Sequence, residues 1–182
     1  MSGRRRKETG VSRSDSRPEA RVLGVDRAKN VALRYLASCA RTEAQIRARL
    51  ARAELAAEAD EVVAWLGRLG YLDDAAYARA RARALVAPGR AGPRLAERRL
   101  RAAGIDRGAA RAAVAGALAE AGEGTDGEVA LCRSLAERRV RTADLTALDD
   151  RARQRLARFL LGRGFSGSAV GRVLGVWSDS DG

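Results

Sequence analysis

Apolar residues recur along this chain at helical spacing, and glycine, proline or aspartate cuts the runs at regular intervals. Ala28, Ala32, Tyr35, Leu36 and Cys39 share one face of a first predicted helix. Thr42 opens a second, with Gln45 three residues on to complete a capping box and Ile46, Leu50 and Ala53 on the buried side. A third helix, from about residue 57 to 69, buries Ala59, Val62, Val63, Leu66 and Leu69, and Glu58, Asp60 and Glu61 complement the helix dipole in its first turn. Gly70-Tyr71-Leu72-Asp73-Asp74 then reads as a helix stop, a tight corner and a helix start. Gly70 takes the left-handed conformation, Tyr71 and Leu72 seal the end, and Asp73 or Asp74 caps the next helix.

The same grammar repeats. A helix from Asp73 to about Val86 stops at Pro88-Gly89, Pro93 suits the first turn of the next, and Ala96, Leu100 and Ala103 form its seam up to Gly104. Asp106 caps a helix with Ala110, Ala113, Val114, Ala117 and Leu118 on one side. Residues 121–127, rich in glycine and acidic residues, read as a hinge. Beyond it, Val129, Cys132, Leu135 and Ala136 line one helix and Leu156, Phe159 and Leu160 another. After Gly164-Phe165, Ser166 opens a last helix with Val170, Val173, Leu174 and Trp177 inside. Leu50, Leu100 and Leu160 occupy equivalent places, a period of about 50 to 60 residues, and no alternating strand pattern occurs. The pattern predicts an all-α protein: an elongated, curved array of three tandem three-helix (helix-turn-helix-like) units over residues 23–72, 73–120 and 128–177. A disordered basic tail over residues 1–22 precedes it and a short tail over 178–182 follows.

Composition sharpens this. The chain has 182 residues, 46% of them hydrophobic, but much of that is alanine, so the core is a set of thin seams. The formal net charge is +12 and almost every cation is arginine, since only Lys7 and Lys29 are lysines. Such a charge favours polyanions or an acidic protein surface. No histidine is present, which removes the commonest general base and metal ligand, and Cys39 and Cys132 are isolated; both read as small buried hydrophobes of a reducing cytosol. The expectation is a cytoplasmic, noncatalytic monomer with no cofactor, no metal and no membrane association. No signal-peptide-like or 18-residue apolar run occurs.

Arginines at helical spacing are the candidate contacts. Arg94, Arg98 and Arg101 form one row, Arg151, Arg155 and Arg158 a second, and Arg79 and Arg83 lie one turn apart. Each guanidinium can fork onto a phosphate or carboxylate. Arg4, Arg5, Arg6 and Lys7 give the tail a nonspecific, weak affinity for DNA. The carboxylate pairs Asp73-Asp74 and Asp149-Asp150 open predicted helices and read as caps rather than as acid/base or metal centres. The aromatics read as packing residues.

Taken together these strings resemble the RecX family, bacterial regulators of the RecA recombinase. The first-unit signature is matched by Leu36-Ala-Ser-Cys39-Ala-Arg41-Thr42-Glu-Ala-Gln45-Ile46, with Cys39 where an arginine is common and Gln45-Ile46 for the usual Glu-Leu. The central signature is matched by Gly70, Tyr71, Leu72, Asp73, Asp74, Tyr77 and Ala78. Gly92-Pro93-Arg94-Leu95 with Leu100, Gly104 and Ile105 resembles the second unit, and Gly164, Phe165 and Ser166 with Val170 the third. The resemblance spans about residues 28 to 176. It implies a protein that binds within the groove of the RecA-DNA filament and blocks its extension or promotes its disassembly, modulating recombination, DNA repair and the SOS response. The alternative is a direct DNA binder that uses its corners as helix-turn-helix units.

Overall fold

The computed structural model describes residues 16–87, 90–121 and 124–175; the sequence features at Arg4 to Lys7, Pro88-Gly89, Trp177 and 178–182 lie outside them. Among the described residues are nine α-helices in three successive sets and no strand. The first set is α1 (Ser16–Leu36), α2 (Glu43–Arg52) and α3 (Ala59–Arg68), with a short 3-10 turn, Ala56–Glu58, leading into α3. The second is α4 (Asp74–Val86), α5 (Pro93–Ala102) and α6 (Arg107–Ala121), and the third is α7 (Gly124–Val140), α8 (Asp150–Gly162) and α9 (Gly167–Leu174).

Each set closes on its own seam. Ala28, Ala32, Ile46, Leu50, Val62 and Leu66 pack in the first, Ala82, Val86, Leu100, Ile105 and Val114 in the second, and Cys132, Leu156, Leu160, Phe165 and Val170 in the third. Leu131 packs against both the second and third seams. In alanine-rich seams each larger side chain counts, at roughly 1.5–3 kcal/mol per buried leucine. Leu50, Leu100 and Leu160, one in each middle helix, are fully buried.

Those three leucines also sit at the start of a common turn. The Leu50, Leu100 and Leu160 carbonyls accept the backbone N–H groups of Leu55, Ile105 and Phe165, and Leu66 accepts that of Tyr71 in the same way at the end of α3. One residue earlier, Glu54, Gly70, Gly104 and Gly164 all take positive φ, 60°, 74°, 90° and 87°. This is the Schellman closure, in which two carbonyls orphaned at a helix end are satisfied by the chain turning left-handed. Aspartate or serine opens the next helix after three of the four corners. Asp73 accepts from the Ala76 N–H at 2.7 Å, Asp106 from Gly108 at 2.7 Å, and Ser166 from Ala169 at 3.2 Å.

Several expectations are corrected. α1 begins at Ser16, inside the segment expected to be a tail; Pro18 stands in its first turn, where a missing N–H costs no intrahelical bond, and Val25, Ala28 and Ala32 farther along it are buried. α1 ends at Leu36, where the Ser38 hydroxyl donates to the Tyr35 carbonyl at 3.5 Å, so Cys39 falls outside the helix and is exposed rather than buried. Leu69 and Tyr71 are 53% and 56% exposed, so Leu72 alone of the expected sealing residues packs against the first seam. Gly124 to Gly127, expected within a hinge, form the first turn of α7.

Candidate functional site

The three middle helices are joined end to end. Gly92, at the N-cap of α5, has no side chain with which to cap; its N–H instead donates to the Arg163 carbonyl at 2.8 Å, and the Arg94 N–H donates to the Gly164 carbonyl at 3.2 Å. Orphan donors at the start of one helix thus meet orphan acceptors at the end of another. The contact is close enough to require glycine on both sides. A Cβ at Gly92 would lie 2.5 Å from the Gly164 carbonyl carbon, and one at Gly164 would lie 2.4 Å from the Leu95 nitrogen.

The first joint repeats the arrangement with different chemistry. The α2 cap Thr42, fully buried, accepts from the Gln45 N–H and donates its hydroxyl proton to the Ala103 carbonyl at the end of α5, 2.5 Å away. A Cβ at Gly104 would lie 2.1 Å from the Ala44 Cβ. Asp74, the first residue of α4, accepts from the Glu43 N–H at 3.0 Å, so α4 and α5 both converge on the start of α2. Asp73 and Asp149 cap α4 and α8, which gives both carboxylate pairs a local hydrogen-bonding role.

Arginines surround this stack without forming one surface. Arg94, Arg98, Arg101, Arg151, Arg155 and Arg158 are exposed, and none makes an ion pair or a side-chain hydrogen bond among the described residues. Arg101 lines a groove of about 690 Å³ at the first joint, whereas Arg155 lines a smaller one of about 180 Å³ beside Arg139 and Phe159. Arg79 and Arg83 line a third, of about 290 Å³, between α4 and α6. Arg83 is already engaged: its guanidinium forks onto Glu120 at 2.7–3.0 Å, which strengthens its charged form and holds the Glu120 carboxyl below the usual range. Sequence periodicity picked out Arg101 but not Arg34, Arg49 and Arg52, which line the same joint groove from α1 and α2. Only the fold brings these helices together. Burial, with Glu128 nearby, pushes the Cys132 thiol up to about 12, so it is a packing residue and not a nucleophile.

Three-helix units strung through their middle helices define an all-α repeat array. The family model of the first three-helix domain of RecX matches residues 28–66, and that of the third three-helix domain matches residues 126–174. The chain belongs to the RecX family. The crystal structure of RecX from Lactobacillus salivarius is similar in fold, with a TM-score of 0.68 at 21% identity over 86% of this chain and 99% of that one. A second crystal structure, of a regulatory protein RecX, gives 0.69 at 23% identity over 94% of this chain and 83% of that one. No curated protein matches the sequence significantly. No helix among the described residues is long and apolar enough to cross a membrane.

Proposed function

We propose that this protein is a noncatalytic regulator that binds along a RecA filament on DNA and blocks its extension or promotes its disassembly. Membership of the RecX family is the observation that carries this reading. The array adds a physical fit: repeat units present one surface after another, and the rows Arg94/Arg98/Arg101 and Arg151/Arg155/Arg158 have no ion pair among the described residues. Small contacts to successive filament subunits add into avidity without any single strong site. The contacts are assigned to those two rows and to Arg79, with Arg83 secondary because Glu120 holds it.

Titrating this protein into the single-strand-dependent ATPase of its cognate recombinase tests the reading. Stoichiometric amounts are expected to suppress turnover, and no change at stoichiometric excess overturns the proposal. Charge reversal of Arg94, Arg98 and Arg101 is expected to raise the concentration for half-inhibition about tenfold at moderate salt, the equivalent of about 1.4 kcal/mol. The helix-turn-helix alternative is disfavoured because a reading helix presents its N-terminal residues to the bases. α2 and α5 spend those residues on joints, and α3 opens with Asp60 and Glu61, which repel phosphate.

A further inference from the structure

The groove at the first joint encloses about 690 Å³, and its charge is one-sided. Arg34 of α1, Arg49 and Arg52 of α2, and Arg101 of α5 line it, and no carboxylate does. All four are exposed and none has an ion pair or side-chain hydrogen bond among the described residues. Elsewhere the chain does pair its arginines across elements: Arg47 with Asp60, Arg83 with Glu120, Arg21 with Glu61. Four guanidinium charges from three helices, without a counter-charge in one trough, complement a ligand that carries several negative charges in succession.

The rest of the lining suits an extended chain. Ala44, Ala48, Ala102 and Gly104 are small, which lets a strand approach the helix backbones, and Arg49 and Arg52 stand one turn apart on α2. Tyr35 supplies an aromatic surface in the wall, its ring pinned by the Arg41 guanidinium 4.1 Å from the ring centre. A basic trough with an aromatic in its wall is the arrangement that holds single-stranded nucleic acid without reading its sequence. We propose that the joint between the first and second units is a binding site for the phosphodiester backbone of single-stranded nucleic acid, held by Arg34, Arg49, Arg52 and Arg101. Its residues differ from those of the basic N-terminal segment and, Arg101 apart, from those of the rows assigned to the recombinase. Its test contains no recombinase, so the two readings fail independently.

The experiment is fluorescence anisotropy of a labelled oligothymidylate of about twenty nucleotides, longer than one such site, titrated with the full chain between about 50 and 200 mM salt. Changing Arg34, Arg49, Arg52 and Arg101 together to alanine is expected to weaken binding at least about tenfold at the lower salt. The slope of log affinity against log salt should become shallower by about 2 to 3, since each neutralised phosphate of a single strand contributes about 0.7. A control that removes the same charge elsewhere, Arg81, Arg107, Arg111 and Arg133 to alanine, is expected to change affinity less than about threefold. The four groove arginines changed to lysine are expected to restore the slope, which keeps the test valid if the alanine variant loses helical structure. Equal losses in groove and control variants overturn the proposal, as does a lysine variant that behaves like the alanine one. Competition by polyglutamate of matched length as effective as that by unlabelled oligonucleotide also overturns it, by making the occupant an acidic peptide.

Discussion

Gly70 and Gly164 close the same left-handed turn with the same pair of backbone hydrogen bonds, yet their surroundings are opposite. A Cβ added at Gly70 would meet nothing within 4 Å, whereas one at Gly164 would lie 2.4 Å from the Leu95 nitrogen and 3.0 Å from its Cα. Gly70 only ends a helix; Gly164 ends a helix and receives the start of another. Gly104 belongs with Gly164, and Glu54 with Gly70 as a purely local corner. Turn chemistry alone therefore does not distinguish a bend from a joint. Absence of a Cβ only eases the backbone conformation at the first kind of corner, which Glu54 adopts with its Cβ in place, whereas at the second it also leaves the space that the incoming helix start occupies.

This contrast ranks four substitutions. Gly164→Ala is expected to be the most damaging, at about 3 kcal/mol or more, because the methyl combines left-handed strain with overpacking against backbone; calorimetry should show the melting temperature falling by about 6–12 °C. Gly104→Ala should cost about 2–3 kcal/mol, since it presses on the Ala44 methyl of α2 rather than on backbone atoms, and chemical denaturation measures it. If both variants unfold no more readily than Gly70→Ala, the joints do not stabilise the array. Gly70→Ala carries the conformational penalty alone, about 1–2 kcal/mol in the same assay. Glu54→Gly runs the other way: the glutamate holds φ 60° without a glycine's freedom, and relieving it should stabilise the protein by about 0.5–1 kcal/mol.

A smaller effect follows from acidification. The Asp106 carboxyl is held below its usual range by the Ala109 and Gly108 N–H groups, and Asp144 by the Thr146 hydroxyl and then the Thr146 and Ala147 N–H groups. A carboxyl whose folded value is lowered contributes stability that is present above the unfolded value and lost as pH falls through the folded one. Stability should therefore be flat through neutrality and decline below about pH 4. In Asp106→Asn and Asp144→Asn variants the decline should be shallower, as urea midpoints across that range would record.

The seams and most helix starts were legible because they depend on neighbours close in sequence. The apolar spacing located all three middle helices, and Thr42, Asp73, Asp149 and Ser166 stand where capping chemistry expects them. The Glu54 corner was not legible as a left-handed turn, since no glycine marks it; its geometry follows from Leu50 and Leu55 both being buried on either side. The joints were invisible for a different reason. Thr42 and Ala103 are 61 residues apart, and at the second joint the Arg163 guanidinium donates to the Arg90 carbonyl from 73 residues away; no periodicity within a helix reports which foreign helix end meets its own. Gly92 was the nearest to a signal: a helix start before proline, lacking any capping side chain, implies that its donors are satisfied from elsewhere. The joint groove inherits the same opacity, because Arg34, Arg49 and Arg101 belong to three separate sequence patterns.

The end-to-end order of α2, α5 and α8 has a direction, so the stack has two unlike termini. α2 starts on the corner of α5, and α5 starts on the corner of α8, each time over a glycine. Among the described residues no helix starts on the corner of α2, and there the residue at positive φ is Glu54, which carries the Cβ that both accepting corners lack. Glu54 thus gives the α2 corner a different surface from the corners on which α2 and α5 begin, and the two ends of the stack offer unlike contacts.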